Sequence, residues 1–168
     1  MDHSRRDLSE YYGRISARGK LHKRIDGHPL FGCNVAYSST SGVDREEDYP
    51  KLELKDLLAW SDVISVHCPL NERTTNLIDA EGFEYMKPTA ILINVARGGV
   101  VNEQALCDAL NEDKLAGAVF DVFTAEPMSA DNPLLKVKDS YKLLLSPHTA
   151  WAAKASIDVL IQGIVTNI

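Results

Sequence analysis

The sequence predicts an α/β fold with a doubly wound parallel sheet. Apolar runs of strand length alternate along the chain with segments of helical periodicity, which is the pattern of such a sheet. The runs are rich in branched residues, as in strands that are buried on both faces. Several runs end directly in polar residues that chemistry could use. Because open α/β sheets bind ligands beyond the carboxyl ends of their strands, these residues mark the candidate site.

The individual elements follow from Gly32 onward. Strands are predicted at 32–37, 62–67, 90–95, 116–122 and 142–145, and helices at 54–58, 74–78, 79–86, 102–112 and 152–165. Asn102 is a typical N-cap residue, and Glu103 in the first turn suits the helix dipole. The polar residues from Ser38 to Gly42 are predicted to leave the first of these strands. A length of 168 residues fits one domain.

The composition argues against several classes of function. No apolar run approaches the ~20 residues of a membrane span, and the N-terminus lacks the apolar core of a secretory signal. Residues 1–24 carry seven Lys/Arg and three Asp/Glu, whereas residues 25–168 carry eleven Lys/Arg and twenty-one Asp/Glu. Because residues 25–168 are acidic, nucleic acid is not expected as a partner. Cys33, Cys68 and Cys107 lack metal-type spacing, so we expect no metal site and a reducing, cytoplasmic location.

Three strand ends carry residues that could act together. Arg97 follows the strand at 90–95, Asp121 and Glu126 lie at the end of the next strand, and His148 follows the last. An imidazole beside a carboxylate is held in one tautomer, and a guanidinium can bind a substrate carboxylate with a bidentate fork. This set suits proton transfer to a carbonyl oxygen while hydride arrives from elsewhere. Taken singly, each has a structural alternative as a solvated arginine, a turn residue or a strand cap.

Four stretches carry a resemblance to a known family. They are SDVISVHCPLNERTTNLI (61–78), MKPTAILINVARGGVVNEQAL (86–106), DKLAGAVFDVFTAEP (113–127) and LLSPHTAW (144–151). In their order and spacing the chain, from about Gly32 to Ile168, closely resembles the nucleotide-binding domain of the D-isomer-specific 2-hydroxyacid dehydrogenases. The glycerate dehydrogenase and hydroxypyruvate reductase group is the most similar. The resemblance implies a Rossmann-like fold, NAD or NADP as cofactor, and hydride transfer between NAD(P)H and a 2-keto acid.

The resemblance also implies roles for single residues. Arg97 is similar to the family's substrate-binding arginine, and His148 to the acid/base that protonates the carbonyl. Glu126 is similar to the partner that keeps the imidazolium available, and Asp121 to a residue near the nicotinamide carboxamide. The full set implied to bind the cofactor is His67, Cys68, Pro69, Asn94, Val95, Ala96, Arg97, Asp121 and His148.

The front end of the domain departs from the family's pattern. The family opens with an apolar strand and a G-x-G-x-x-G turn whose helix holds the pyrophosphate. The corresponding residues, 16–21, contain only Gly19, and neither this glycine nor Gly13 is assigned to the cofactor. Ser38 ends the second strand, where an acidic residue would bind the adenine ribose, so NAD versus NADP stays open. We therefore expect a sheet without a regular first strand and without the glycine-rich turn.

These departures leave alternatives open. Residues 1–31 are predicted to be an atypical N-terminal segment, with disorder as one alternative, and 32–168 a partial NAD(P)-binding domain. The central place of strand one could be filled by Tyr11 to Ile15, by direct pairing of other strands, or by a second chain. The family's substrate domain has no counterpart of sufficient length. The function is therefore either a D-2-hydroxyacid dehydrogenase, acting on a small 2-keto or 2-hydroxy acid alone, as a homodimer or with a complementing chain, or an inactive fragment or interaction module.

Overall fold

A computed structural model of the chain describes residues 14–17, 34–41 and 49–166. Gly13, Gly19 and Cys33 lie outside this part. Within it, six strands form one sheet: β1 (Arg14–Ala17), β2 (Ala36–Ser39), β3 (Val63–Val66), β4 (Ile91–Asn94), β5 (Gly117–Phe120) and β6 (Leu143–Leu145). The four α-helices of the described part are α1 (Leu54–Trp60), α2 (Ala80–Tyr85), α3 (Glu103–Asn111) and α4 (Lys154–Thr166). Short 3-10 helices cover Pro133–Lys136 and Ser140–Lys142.

The sheet has the order β2-β1-β3-β4-β5-β6, and its strands from β3 to β6 are parallel. The register runs straight across them, with Ser65 opposite Ile93 and Ile93 opposite Val119. The carboxyl ends of these four strands therefore meet at one edge. This confirms the predicted α/β fold and places the predicted site residues on a common edge.

The first strand lies in the predicted central place but runs in the opposite direction. Ile15 pairs antiparallel with Val66, and Ala17 with Ile64, while β2 pairs antiparallel on the other side. The backbone groups of β2 and β3 thus find hydrogen-bond partners in β1. Without a strand between them these groups would be unpaired, at a cost of about 1–3 kcal/mol for each buried group. β1 overlaps the predicted segment Tyr11 to Ile15 at residues 14 and 15, and residues 11–13 lie outside the described residues.

The core lies between the sheet and three helices. It includes Leu57 of α1, Phe83 of α2 and Leu106 of α3, packed with Ile64 and Leu92 from the sheet, all of them buried. Burying one such side chain contributes roughly 1.5–3 kcal/mol. Each of these three helices presents its apolar side to the same face of the sheet.

The prediction that β4 is buried on both faces is wrong in one respect. Its burial alternates, so that Leu92 is fully buried while Ile91 on the opposite face is 40% exposed. Successive side chains of a strand point to opposite faces, and α1, α2 and α3 all pack with the buried set. The branched residues of the run therefore indicate strand structure rather than burial on both faces.

Two predicted elements differ from the structure. The strand predicted at 32–37 is observed at Ala36–Ser39, because pairing with β1 reaches as far as the pair Arg14 and Ser39. The helix predicted at 74–78 is a set of turns, in which the Asn71 carbonyl accepts from the amides of Thr74 (3.0 Å) and Thr75 (2.9 Å). Asn76, with φ of 51°, stops a helix from continuing.

Candidate active site

Asn94 shapes the turn that presents Arg97. Its side chain is fully buried at the end of β4, where Oδ1 accepts from the Ala96 amide and Nδ2 donates to the Arg97 carbonyl, both at 3.1 Å. Gly99, with φ of 80°, continues the turn in a conformation that favours glycine. Arg97 itself is exposed, and its Nη1 donates to the Ala96 carbonyl at 2.7 Å. The strand end thus holds a guanidinium at the surface of the carboxyl edge of the sheet.

Glu126 and His148 are in direct contact at the same edge. The Glu126 Oε2 and the His148 Nδ1 lie 2.7 Å apart, and the second carboxylate oxygen accepts from the Phe123 amide at 2.9 Å. The hydrogen bond with His148, and after it the one from Phe123, holds the pKa of Glu126 below its ordinary value. An ionised carboxylate can only accept, so Nδ1 carries the hydrogen, and Nε2 takes no part in this contact. The predicted contact between the two side chains is confirmed.

Asp121 holds the turn on which His148 lies. It is 2% exposed, directly after β5, and accepts hydrogen bonds from the Ser146 hydroxyl and from the amides of Thr149 and Ala150, the latter two at 2.8 Å. Burial acts to raise the pKa of Asp121, but these hydrogen bonds outweigh it and the pKa lies below its ordinary value. His148, between the bonded residues, has φ of 53°. Asp121 therefore fixes a strained backbone turn from both sides.

The Arg97 turn packs directly against the segment that leads to Glu126. A β-carbon built on Gly98 would stand 1.9 Å from the Phe123 carbonyl oxygen and 2.6 Å from the Thr124 nitrogen. On its other side, Gly99 faces Leu70 after β3, with a β-carbon distance of 3.6 Å. The ends of β3, β4 and β5 therefore form one continuous surface.

Two residues that support the site do not stand out in the sequence. The pattern indicates Glu103 only as a first-turn residue of α3, yet its carboxylate binds the Thr124 amide at 2.7 Å and the Asn132 amide group at 2.8 Å. Gly98 reads as a turn residue without a partner. Its close approach to Phe123 joins segments that are distant in sequence, and no local signal reveals such a contact.

The other predicted cofactor residues lie at the carboxyl ends of β3 and β4. His67 is half-buried, and its Nε2 lies 2.7 Å from the Ser65 hydroxyl. Cys68 is buried, and burial raises the pKa of its thiol to about 11. Pro69 is exposed, while Val95 and Ala96 are half-buried. Their positions fit the nicotinamide end of a dinucleotide, and their contact with a cofactor stays a prediction.

Residues 18–33, which include most of the positions that correspond to the family's glycine turn, lie outside the described residues, but the direction of β1 is described. Because β1 runs antiparallel to β3, its last residue, Ala17, pairs with Ile64 and lies toward the amino edge of the sheet. The end of β1 is therefore at the edge of the sheet opposite to Arg97 and His148. The carboxyl ends of β3 to β6 fit a nicotinamide and a small substrate.

Metal-binding clusters and membrane spans are both absent from the described residues. No group of three or more His, Cys, Asp or Glu side chains in this part of the chain could hold a metal ion. None of the helices at 54–60, 80–85, 103–111 and 154–166 has the length and hydropathy to cross a bilayer.

Comparison with known proteins adds to this geometry. The sequence model of the D-isomer specific 2-hydroxyacid dehydrogenase NAD binding domain matches residues 20–150. A hydroxypyruvate reductase from Blautia hydrogenotrophica is 38% identical over 159 residues, which are 94% of this chain and 47% of that protein.

Solved structures agree with the sequence match. The structure of a D-2-hydroxyisocaproate dehydrogenase has a TM-score of 0.72 at 28% identity, and the match covers 81% of this chain and 44% of that one. A D-isomer specific 2-hydroxyacid dehydrogenase from Xanthobacter autotrophicus, in complex with NADPH and MES, has a TM-score of 0.61 at 34% identity, over 70% of this chain and 37% of that one. The chain thus spans less than half the length of the proteins it matches.

Proposed function

Because this chain belongs to the D-isomer-specific 2-hydroxyacid dehydrogenase family and contains its NAD-binding domain, we propose that it takes part in NAD(P)-dependent reduction of a 2-keto acid to a D-2-hydroxy acid. The observation that carries the proposal is the 2.7 Å contact between Glu126 and His148, at the strand edge that also bears Arg97. An interaction module would not require a carboxylate–imidazole pair in this arrangement. The geometry therefore favours catalysis over the inactive alternative.

Arg97 is the proposed substrate-binding residue. Its guanidinium is exposed at the end of β4, and within the described residues it donates to a carbonyl of its own turn. A planar fork of donors matches a carboxylate in two parallel hydrogen bonds. The same positive charge would polarise the adjacent keto oxygen and stabilise the negative charge that develops there.

His148 is the proposed acid. Its Nδ1 is held by Glu126, so Nε2 would donate a proton to the keto oxygen as the carbonyl carbon accepts hydride. The nicotinamide cofactor supplies that hydride when it is bound. The products are a hydroxyl group on the substrate and a neutral imidazole. In the oxidation direction Nε2 takes the same proton back, and Glu126 keeps the ring oriented in both directions.

The cofactor would lie along the ends of β3, β4 and β5. The residues proposed to line it are His67, Cys68, Pro69, Asn94, Val95, Ala96, Arg97, Asp121 and His148. Two of these residues also have a structural role, because Asn94 forms a hydrogen bond with the turn that carries Arg97, and Asp121 forms one with the turn that carries His148. NAD and NADP both stay open as the natural form.

We extend the proposal to location and assembly. Cys68 and Cys107 are free and buried, which supports a reducing cytoplasm. A homodimer or a complementing chain is supported by exposed apolar side chains beyond β5. They include Leu144 of β6, Trp151, and Val159 and Ile161 of α4.

A keto-acid assay tests the proposed function. The protein that contains this sequence is incubated with NADH or NADPH and with hydroxypyruvate or glyoxylate, and oxidation of the cofactor is followed. We expect oxidation that depends on the keto acid, and an Arg97→Lys variant with a raised KM, because lysine keeps the charge but loses the fork. Lys138→Arg, at an exposed position with a charge of the same sign, is the control. Saturable NADH binding without any keto-acid reduction would contradict the proposal.

A further inference from the structure

Glu103 is a buried carboxylate whose partners lie far along the chain. The residue is only 9% exposed at the start of α3. Oε1 accepts from the Thr124 amide at 2.7 Å, and Oε2 accepts from Nδ2 of Asn132 at 2.8 Å. Asn132 in turn accepts from the Leu134 amide through Oδ1 at 2.9 Å. Both carboxylate oxygens are therefore committed to the loop that follows β5.

The helix itself does not use this carboxylate as a cap. Asn102 already caps α3, since its Oδ1 accepts from the Ala105 amide at 2.9 Å. Within the described residues, Glu103 makes no salt bridge, so its burial is not offset by a cation there. A buried carboxylate is costly unless its hydrogen bonds are satisfied. The two bonds to the loop are what satisfy it.

The partners of Glu103 stand on both sides of Glu126. Thr124 precedes Glu126 by two positions, and Asn132 follows in the same loop. The Phe123 amide, next to Thr124, donates to Glu126 at 2.9 Å. Glu103 lies a few residues after Arg97, whose neighbour Gly98 packs on the Phe123 main chain. The short segment 97–103 therefore carries Arg97 and also contacts the loop that carries Glu126, through Gly98 and Glu103.

We propose that Glu103 is a positioning residue that fixes the Glu126 loop (residues 123–132) against the Arg97 turn, and thereby sets the Glu126–His148 pair relative to the substrate-binding guanidinium. The consequence for catalysis rests on the proposed function. The positioning itself does not, because it concerns contacts within the chain. It can be measured without substrate or cofactor.

A polarity swap tests this directly. In Glu103→Gln one end of the side chain becomes a donor, so a loop donor loses its acceptor whichever way the amide turns. Adding Asn132→Asp restores the complement, because the new carboxylate accepts from the glutamine amide introduced at position 103 and still accepts from the Leu134 amide. The matched control is Glu112→Gln, at the exposed far end of α3, which removes the same charge from a surface pair with Lys114.

The two measured quantities are the hydrogen-exchange rates of backbone amides and the pKa of the Glu126 carboxyl group. We expect exchange at Phe123 and Thr124 to be about tenfold faster in Glu103→Gln, corresponding to one lost hydrogen bond. We also expect the pKa of Glu126, measured by NMR, to rise toward its ordinary value. The double variant restores both, and Glu112→Gln changes neither. In an active protein, kcat falls more than the KM for keto acid changes, because Arg97 is intact.

Three results would overturn the proposal. They are unchanged exchange and an unchanged Glu126 pKa in Glu103→Gln, failure of the double variant to restore them, and an equal acceleration at sheet amides such as those of Ile64 and Leu92. The last would show general destabilisation rather than positioning. A protein without keto-acid reduction in which the exchange pattern is as expected would refute the proposed function and leave the positioning intact.

Discussion

Gly98 lies against the main chain of Phe123 so closely that any side chain at position 98 would displace it. The nearest atoms to a built β-carbon are the Phe123 carbonyl oxygen at 1.9 Å and carbonyl carbon at 2.0 Å. These are backbone atoms, which cannot swing aside as the end of a flexible side chain can. The contact joins the turn that carries Arg97 to the loop that carries Glu126, so the spacing of the site depends on a glycine.

Gly98→Ala is expected to lower both stability and catalysis. Forcing a methyl group into a packed site typically costs about 1–3 kcal/mol, which urea unfolding would measure. Because the displaced backbone leads to Glu126, we expect kcat/KM for the keto acid to fall by at least about tenfold. Gly82→Ala is the control, since its β-carbon would meet only side chains, the nearest at 3.5 Å. Equal effects of the two substitutions would contradict this account.

Asp121→Asn is expected to loosen the turn that carries His148. The amide end of asparagine cannot accept, so at least one of the donors Ser146, Thr149 and Ala150 loses its partner. A buried donor without an acceptor costs about 1–3 kcal/mol, which would appear in urea unfolding at neutral pH. Asp158→Asn, at an exposed position on α4, should change stability far less.

The contribution of Asp121 has a definite pH dependence. Its folded-state pKa is lowered, so the charged form stabilises the fold fully above the unfolded value of about 3.9. That contribution is lost as the pH falls through the lower, folded-state value. The difference in unfolding free energy between wild type and Asp121→Asn should therefore be constant at neutral pH and shrink below about pH 4. A difference that grows on acidification would show that the carboxylate is not the stabilising form.

The sequence at the end of β2 predicts that the chain discriminates only weakly between NADH and NADPH. Enzymes that prefer NAD place a carboxylate at the end of this strand to bind the ribose 2′-hydroxyl. Here residues 36–41 read AYSSTS and contain no carboxylate, and Ser39 contacts Ser41 through their hydroxyls at 3.1 Å. We expect the two dissociation constants, measured by calorimetry, to agree within about tenfold. A preference for NADH of about a hundredfold or more would mean that a carboxylate outside this strand binds the ribose.

The direction of β1 predicts weak binding of the dinucleotide itself. Ala17, the last residue of β1, lies toward the edge of the sheet opposite Arg97, and residues 16–21 contain only one glycine, whereas the family's G-x-G-x-x-G turn holds the pyrophosphate. We expect this chain to bind NADH at least about tenfold more weakly than a family member with the G-x-G-x-x-G turn. Calorimetry combined with light scattering tests this. Tight binding by a monomeric sample would be the contrary result.

The periodic part of the chain can be predicted because local and tertiary preferences agree there. The runs that form β3 to β6 are apolar and short, and the helix at 102–112 has both a capping residue and a leucine face, so α1, α3 and the parallel sheet follow from the sequence. The turn at 74–78 does not, because Thr74 and Thr75 have no strong local preference. Their hydrogen bonds to Asn71, together with the positive φ of Asn76, decide the conformation.

The sequence predicts which residues of the candidate site could do chemistry, but not the hydrogen bonds that hold them in place. Arg97, Glu126 and His148 follow strands that end at one edge, so their common location follows from topology. The bonds of Asp121 to Thr149 and of Glu103 to Thr124 join residues that only the tertiary fold brings together. The direction of β1 also cannot be predicted from the sequence, because four residues without a clear pattern can pair parallel or antiparallel.

The central claim is that His148, held in orientation by Glu126, transfers the proton during keto-acid reduction. The most direct test is the rate of a single turnover with a saturating reduced cofactor and hydroxypyruvate, compared between wild type and His148→Asn. Asparagine keeps a polar group but cannot act as a general acid near neutral pH, so the rate should fall by about 10²–10⁴-fold. The melting temperature should hardly change, because the His148 side chain is 40% exposed. A His148→Asn variant that reduces the keto acid at the wild-type rate would contradict the account.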